Sequence, residues 1–273
     1  MWLICCMAML HSKGLDGILR ELSSSLEAYF IPFLLARATY YLQCVGHRFA
    51  IVFYFRDADT LQNAMLAESN QTAHIVYIYE DDWRNKQAII IGRLMAYVGK
   101  AVRIHARACS VVRLDKQCTI DFLRENHLQV PLAGKYRYGL TYKEQLVAIA
   151  VFSGARRMHK EHGSQHRSFE LIRNCNKNGS LVVGGLSKLI KHFVKDFRPN
   201  DVMTYVDRDW SDGSAFAKLG FVLAGVTEPH GFWVDGRTWV RTEQNRIDKD
   251  RFDRENFYCL RNRGSLKMIY HID

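Results

Sequence analysis

Between Phe169 and Phe221 the chain runs, without interruption, through a strand, a Gly-Gly turn, an amphipathic helix, a second strand and a short helix ending in Lys218-Leu219-Gly220-Phe221. That order of elements constrains the fold to a mixed sheet with helices packed on it. Leu186, Leu189, Ile190, Phe193, Val194 and Phe197 recur at helical spacing, with Lys188, Lys191 and Lys195 on the other face, which predicts a helix over Leu186–Phe197. Gly184 and Gly185 stand immediately before it, so free backbone N–H groups and the positive end of the helix dipole converge on one spot suited to phosphate. Arg198-Pro199-Asn200 breaks the helix, and Val202–Val206 reads as the next strand.

Upstream, residues 15–44 read as mainly helical, with Leu15, Ile18, Leu19, Leu22 and Leu26 at helix spacing. Ala28–Ala36, interrupted by Pro32 and closed by Arg37, reads as a core helix far short of the roughly 20 residues a membrane span needs. Phe49–Phe55 is a strand-length apolar run, Ala58–Ala67 has helical character, and Ile75–Tyr79 is a strand that ends in the acidic corner Glu80-Asp81-Asp82-Trp83. Gln87–Val98 is helical up to the stop at Gly99-Lys100. From Ile104 strands dominate: Ala108–Leu114, Tyr138–Tyr142 and Leu146–Phe152, with one helix over Thr119–Leu128 and a hairpin about Lys143-Glu144. Arg156–Arg167 reads as a polar loop whose His159, His162 and His166 have helix-like ligand spacing, but Gly163 and the density of charge favour a solvated loop, and no metal is expected. Ser265–Tyr270 is a last strand. The expected fold class is therefore α+β: a mixed central sheet with flanking helices in residues 104–273, carrying a basic C-terminal extension from about residue 233, preceded by a small α/β module in residues 1–103.

The formal charge of +10 is unevenly spread, with 10 basic and 9 acidic side chains in residues 1–103 against 28 and 19 in residues 104–273. Such an excess favours polyanions through long-range attraction, and nucleic acid is the expected partner; a charged tail that only solubilises the fold would have the same composition. The cysteines Cys5, Cys6, Cys44, Cys109, Cys118, Cys175 and Cys259 are odd in number and scattered without a CxxC pair, so neither a disulfide framework nor a zinc knuckle is indicated, and a reducing cytoplasm fits. Met1–Leu10 is apolar but has no basic n-region or small-residue cleavage site, which argues against a signal peptide, and no membrane partner is expected.

The series Glu170-Leu171-Ile172-Arg173, Val183-Gly184-Gly185-Leu186-Ser187-Lys188-Leu189, Thr204-Tyr205-Val206-Asp207 and Phe216-Ala217-Lys218-Leu219-Gly220-Phe221 resembles the GNAT-like domain of the Mom-type DNA-modification proteins of phages. It is also similar to the C-terminal domain of phage homing-endonuclease-like proteins, whose nuclease module ends in a strand, an acidic-Trp corner and a helix, as His74-Ile75-Val76-Tyr77-Ile78-Tyr79-Glu80-Asp81-Asp82-Trp83 does here. Arg103–Cys109 and Phe122–Gln129 look like that family's junction and first helix. The resemblance implies a GNAT-like acyltransferase fold, acetyl-CoA or another acyl-CoA as cofactor, and a diverged nuclease-like module ahead of it. Residues 1–73 lack the family's metal-holding acidic strand: Glu68-Ser69-Asn70 lies in a turn-like segment and Asp57 and Asp59 read as a helix-capping pair, so nuclease activity is not expected.

GNAT enzymes hold the cofactor pyrophosphate on a turn written Arg/Gln-x-x-Gly-x-Gly/Ala, which falls here on Leu181-Val182-Val183-Gly184-Gly185-Leu186, with Leu181 and Leu186 departing from the pattern. Gly184, Gly185, Leu186, Ser187 and Lys188 are the candidate cofactor-binding residues. The family's tyrosine acid before Lys-Leu-Gly-Phe is Phe216 here, which has no proton to give. The catalytic candidates are Glu170, Tyr205 and Asp207; each has a structural alternative, an ion pair with Arg173 or a loop arginine for Glu170, a core position for Tyr205 and a helix cap near Ser211 for Asp207. Candidate nucleic-acid contacts are Arg156, Arg157, Lys160 and Arg167, with His162 beside them, and Arg237 and Arg241 in a tail that interleaves Trp233 and Trp239 and continues through Arg246, Lys249, Arg251 and Arg254. Three functions stay open: acyl-CoA-dependent modification of nucleic acid, a non-catalytic DNA-binding relic, and a plain N-acetyltransferase for a small amine or peptide.

Overall fold

The computed structural model describes residues 2–56, 58–59, 74–159, 165–244 and 256–272, with side chains from residue 14 onward except at 157–159 and 165. Asp57, most of the expected helix Ala58–Ala67, Glu68-Ser69-Asn70, Lys160, His162, Gly163, Arg246, Lys249, Arg251 and Arg254 lie outside them. Among the described residues no helix is long and apolar enough to cross a membrane. The chain forms two compact units, residues 1–98, 207–212 and 228–265 in unit 1, and residues 99–206, 213–227 and 266–273 in unit 2. The expected division at residue 103 placed the basic extension with the second domain; residues 228–265 instead belong with the N-terminal residues.

Unit 1 begins with helix α1 (Trp2–Leu26), whose Leu15, Ile18, Leu22 and Leu26 are buried at the spacing the sequence shows. A four-stranded sheet follows, ordered β1 (Phe30–Ala36), β2 (Thr39–Cys44), β3 (Phe49–Tyr54) and β4 (His74–Tyr79). The helix expected over Ala28–Ala36, and with it the helical reading of residues 15–44 beyond Leu26, gives way to an antiparallel β1–β2 hairpin. The segment is rich in aromatic and β-branched residues, and Pro32 breaks a helix but sits without penalty on β1, the edge of the sheet. Strand β3 is buried at all six positions and pairs parallel with β4. Helix α2 (Glu80–Tyr97) starts at the acidic corner itself, with Glu80, Asp81 and Asp82 in its first turn, where carboxylates favour the helix dipole. Its Trp83 meets Phe53 edge to face and its Tyr97 stacks on Phe49 at 5.3 Å.

The other face of this sheet is covered by strands the sequence pattern did not disclose. The order is β15 (Arg241–Glu243), β14 (Gly231–Asp235), β16 (Phe257–Arg261), all antiparallel. Val234 and Leu260 from these strands pack with Tyr41, Ala50, Val52, Tyr54, Tyr77 and Tyr79 in one buried cluster. Arg241, expected on a nucleic-acid surface, is turned inward: it forms a bidentate pair with Asp81 at 2.8 and 2.9 Å and a further bond to Asp82 at 2.8 Å. Burial alone would make the guanidinium easier to deprotonate, but Asp82 and Asp81 outweigh it and raise its pKa. Nearby, Asp209 is buried and accepts bonds from the Tyr79 hydroxyl at 3.3 Å and the Arg263 N–H at 3.1 Å. Burial, then the neighbouring Asp207, push its carboxyl well above the usual range.

Unit 2 is built on one mixed sheet ordered β13 (Val222–Val226), β17 (Ser265–His271), β12 (Asp201–Asp207), β10 (Gln165–Asn176), β8 (Gln145–Phe152), β7 (Tyr136–Tyr142) and β6 (Ser110–Arg113), with β9 (Arg156–His159) attached to β10. Arg156–Arg167 is thus the two arms of a hairpin, β9 and the start of β10, where a solvated loop was expected. The turn at Lys143-Glu144 takes positive φ at both residues, 47° and 63°, as two-residue hairpins do. A second, parallel pair joins β5 (Val102–His105) to β11 (Ser180–Val183). Helix α3 (Lys116–Asn126), capped by Asp115, lays Phe122 and Leu123 against Ile149 and Val151 on one face of the sheet. Helix α4 (Gly185–Phe197) buries Leu189, Ile190 and Phe193 with Phe169, Phe152 and Val202 on the other. A one-turn helix, α5 (Ser214–Ala217), precedes β13.

Phe193 is fully buried and stacks face to face on Phe152 at 3.9 Å, so Phe193→Ala is expected to cost about 3–5 kcal/mol in urea denaturation; a loss below about 1 kcal/mol would mean that α4 does not carry this core. Arg241→Met strands two carboxylates and is expected to cost about 3–5 kcal/mol. Because the Asp209 carboxyl is raised in the folded chain, its contribution to stability falls as pH climbs above the unfolded value of about 4. Asp209→Asn, which has no proton to lose, is expected to gain stability relative to the natural chain as pH rises; parallel pH profiles would refute this.

Candidate functional site

The site in unit 2 is organised by the way β10 meets its two neighbours. With β12 it pairs in parallel over three positions only, Ser168 with Asp201, Phe169 with Val202 and Glu170 with Met203. Beyond them the Leu171 carbonyl accepts a bond from the Thr204 hydroxyl at 3.0 Å, a side chain doing what a ladder amide would do. With β8 it pairs antiparallel, but the register shifts between Leu171 and Arg173, leaving Ile172 as the extra residue of a bulge. A bulge bends and twists its strand; β10 and β8 pair on to Asn176 and Ala148, whereas β10 and β12 have no ladder pair past Glu170 and Met203. Alternation places Phe169, Leu171, Val202 and Val206 in the core under α4, and Glu170, Met203 and Tyr205 on the opposite face.

Glu170 is thus a sheet-face carboxylate whose Oε2 is held by the Arg156 guanidinium at 2.8 Å, and whose backbone exchanges hydrogen bonds with Ser153 (Glu170 N–H to Oγ, 2.9 Å; Ser153 N–H to the Glu170 carbonyl, 2.8 Å). The arginine that pairs with it comes from β9, not from Arg173, whose guanidinium donates to the Val130 carbonyl. Arg156 is accordingly engaged within the protein. Tyr205 is 43% exposed, so the alternative of a core tyrosine is excluded. Asp207 lies in unit 1; its Oδ1 accepts the Asp209 N–H at 3.0 Å and its carbonyl accepts from Trp210 and Ser211, so it closes a tight turn, while α5 starts later, at Ser214.

The turn before α4 takes the form the sequence suggests. Gly184 is left-handed at φ 75°, a conformation costly for any residue with a Cβ, and Gly185 is the first residue of the helix. A Cβ on Gly185 would stand 3.0 Å from Val182 Cγ1, so bulk is excluded there as well. The first bond of the helix runs from the Lys188 N–H to the Gly184 carbonyl at 3.0 Å, which leaves the N–H groups of Gly185, Leu186 and Ser187 without an intrahelical acceptor. The side chain of Leu186 packs against the core cluster, so its size is absorbed by the interior. Lys188 differs from expectation: its ammonium donates to the carbonyls of Ala106 (2.9 Å) and Cys109 (2.5 Å), capping the 3-10 turn Ala106–Ala108 instead of serving a phosphate. Phe216, where the motif would have tyrosine, meets Phe221 edge to face at 5.4 Å and packs on the same core.

Of the remaining basic candidates, Arg157 pairs across the β9–β10 hairpin with Arg167, whose guanidinium lies over the Phe169 ring at 5.6 Å. Arg237 is exposed, its backbone N–H held by Asp235 at 2.7 Å. Trp239 receives the Arg84 guanidinium on its face at 4.2 Å, an internal use of an aromatic that the tail offered for base stacking. His166 bonds to Asp201, which also accepts from Ser168 Oγ, so this histidine clips β10 to β12. Sequence reasoning had no means of finding Ser153, Thr204 or the bulge at Ile172, since a register shift depends on the partner strand. Among the described residues no group of three or more His, Cys, Asp or Glu side chains is arranged to hold a metal ion.

No protein-family model and no curated protein matches the chain. Solved structures similar to it include the histone acetyltransferase HPA2 and related acetyltransferase of Corynebacterium glutamicum, at 13% identity over 61% of this chain and 97% of the other, TM-score 0.38. An acetyltransferase of Bacillus subtilis in complex with CoA matches at 12% identity over 60% and 99%, TM-score 0.36. A GNAT family acetyltransferase of Elizabethkingia anophelis with acetyl-CoA bound matches at 8% identity over 60% and 99%, TM-score 0.35. Likeness at this level does not bear on activity. The fold class rests on the chain's own mixed sheet, its short parallel pair and the helices on its two faces, which are those of the expected α+β class.

Proposed function

We propose that unit 2 is an acyl-CoA-dependent N-acyltransferase. The observation that carries this reading is the Gly184-Gly185 turn, where three consecutive helix N-terminal amides, those of Gly185, Leu186 and Ser187, are available to phosphate oxygens at a position that tolerates no bulk. These residues would hold the cofactor pyrophosphate, and the cofactor would supply an acyl group on a thioester, activated toward an amine. In the transfer a C–N bond forms as the C–S bond breaks; the amine must lose a proton and the thiolate must gain one. Glu170, fixed by Arg156 and Ser153 on the face of the sheet opposite α4, is the group suited to take the first proton. Tyr205, on that same face and half-exposed, is suited to give the second in place of the missing tyrosine at Phe216.

A nucleic-acid acceptor, as in phage DNA modification within a reducing cytoplasm, is the second reading. The net charge of +10 favours it, although Arg241 is buried against Asp81 and Asp82 and the exposed Arg156 is paired with Glu170; Arg237 is exposed as well. A non-enzymatic DNA-binding role would use the same turn on a DNA phosphate.

Calorimetric titration with acetyl-CoA is expected to give a micromolar Kd that is lost in Gly185→Glu. Ser187→Glu separates binding from folding: a carboxylate in the first helical turn suits the dipole, so melting is unchanged, but it repels phosphate and is expected to weaken binding at least about tenfold. No heat from the natural chain at millimolar acetyl-CoA would refute the enzyme reading. With an amine acceptor, Glu170→Gln is expected to lower kcat by about 10²–10⁴ with the acetyl-CoA Kd unchanged. Duplex DNA affinity that fails to fall between low and moderate salt would remove the second reading.

A further inference from the structure

The mixed sheet of unit 2 ends at β13. On one side β17 pairs with it, Val222 with Ile269, Leu223 with Met268, Gly225 with Lys267 and Val226 with Leu266. On the other side no strand adjoins it among the described residues, so a row of backbone N–H and C=O groups is left unpaired at the edge. Register sets Leu223 and Val226 on the face that carries Met268 and Leu266, and Val222 on the opposite face with Ile269. All three side chains are exposed, Val222 by 60%, Leu223 by 54% and Val226 by 55%. Edge strands are ordinarily guarded against pairing by a lysine, a proline or an inward charge, as Pro32 guards β1. Val222-Leu223-Ala224-Gly225-Val226 holds none of these. The register shift between Leu223 and Gly225 bends the strand but leaves its apolar side chains exposed. Charge lies only beyond its two ends. Lys218 stands just ahead of the strand and Glu228 just past it; both are exposed, and among the described residues neither is in an ion pair.

We propose that β13 is an interface between two copies of this chain, paired antiparallel, edge to edge, about a two-fold axis. A two-fold pair presents one segment to itself, so the segment must not repel its own image, and a neutral apolar strand meets that condition. The direction follows from the flanking charges. Antiparallel pairing brings the Lys218 end of each copy to the Glu228 end of the other, whereas parallel pairing would set lysine beside lysine and glutamate beside glutamate. The sheet then runs on from one copy into the next, which satisfies the edge amides and covers Leu223 and Val226 on one face and Val222 on the other. A peptide of unrelated sequence could use the same backbone groups but would leave this order of charges without a role. The interface does not depend on whether unit 2 is a transferase.

Sedimentation equilibrium of the full chain through the micromolar range is expected to show a dimer. Val222→Lys and Leu223→Lys each set a charge against its own image across the axis, at positions exposed enough to accept one; each is expected to weaken association about tenfold or more with melting unchanged. Lys218→Glu alone and Glu228→Lys alone bring like charges together and weaken the dimer, and the double reversal restores it. A chain that stays monomeric up to millimolar concentration would overturn the proposal. So would a dimer as tight in both lysine variants as in the natural chain, since its interface would then lie elsewhere. A dimer that the lysines weaken but neither reversal touches would overturn the antiparallel pairing.

Discussion

Three residue pairs of parallel sheet hold β10 to β12, and then the ladder stops. Unit 2 is arranged around that interruption. A parallel pair left to itself would continue, because each added residue gains hydrogen bonds on both strands. Here the bulge at Ile172 turns β10 aside, and the Thr204 hydroxyl takes the one carbonyl that would otherwise be stranded at the parting, so the break costs little in unmade bonds. Glu170 sits at the last paired position and Tyr205 just past it, on the face that α4 does not cover.

Unit 1 is held by a different physics. Its apolar cluster is largely tyrosine, and tyrosine brings a hydroxyl into every layer it fills. The arrangement answers this with buried polar groups: Arg241 on Asp81 and Asp82, and Asp209, whose Oδ1 accepts from both the Tyr79 hydroxyl and the Arg263 N–H. Removing one member exposes the others to an apolar surrounding, so the network is conserved in energy only as a whole.

Much of this was legible in the sequence. The apolar stripe of α4, the Gly-Gly turn and the strands on either side stand where their periodicity places them, because each is decided by local pattern and by one buried face. The misreadings have a common cause, which is dependence on a distant partner. Ala28–Ala36 is a strand because β2 pairs with it, and its own pattern of apolar residues fits either period. Arg241 reads as surface charge in a basic tail until Asp81, 160 residues away in sequence, is seen to meet it. Lys188 sits on what looks like the solvent face of a helix, yet the carbonyls it caps belong to a turn some 80 residues earlier.

The two units are not consecutive stretches of chain. Unit 1 takes its second sheet from residues 228–265, and unit 2 takes β17 from residues 266–273. The tyrosine face of β3 and β4 therefore stays uncovered until strands some 150 residues further along the chain are made, and apolar surface is exposed for that interval. A cut at residue 103 would leave the N-terminal fragment without the strands that cover its sheet.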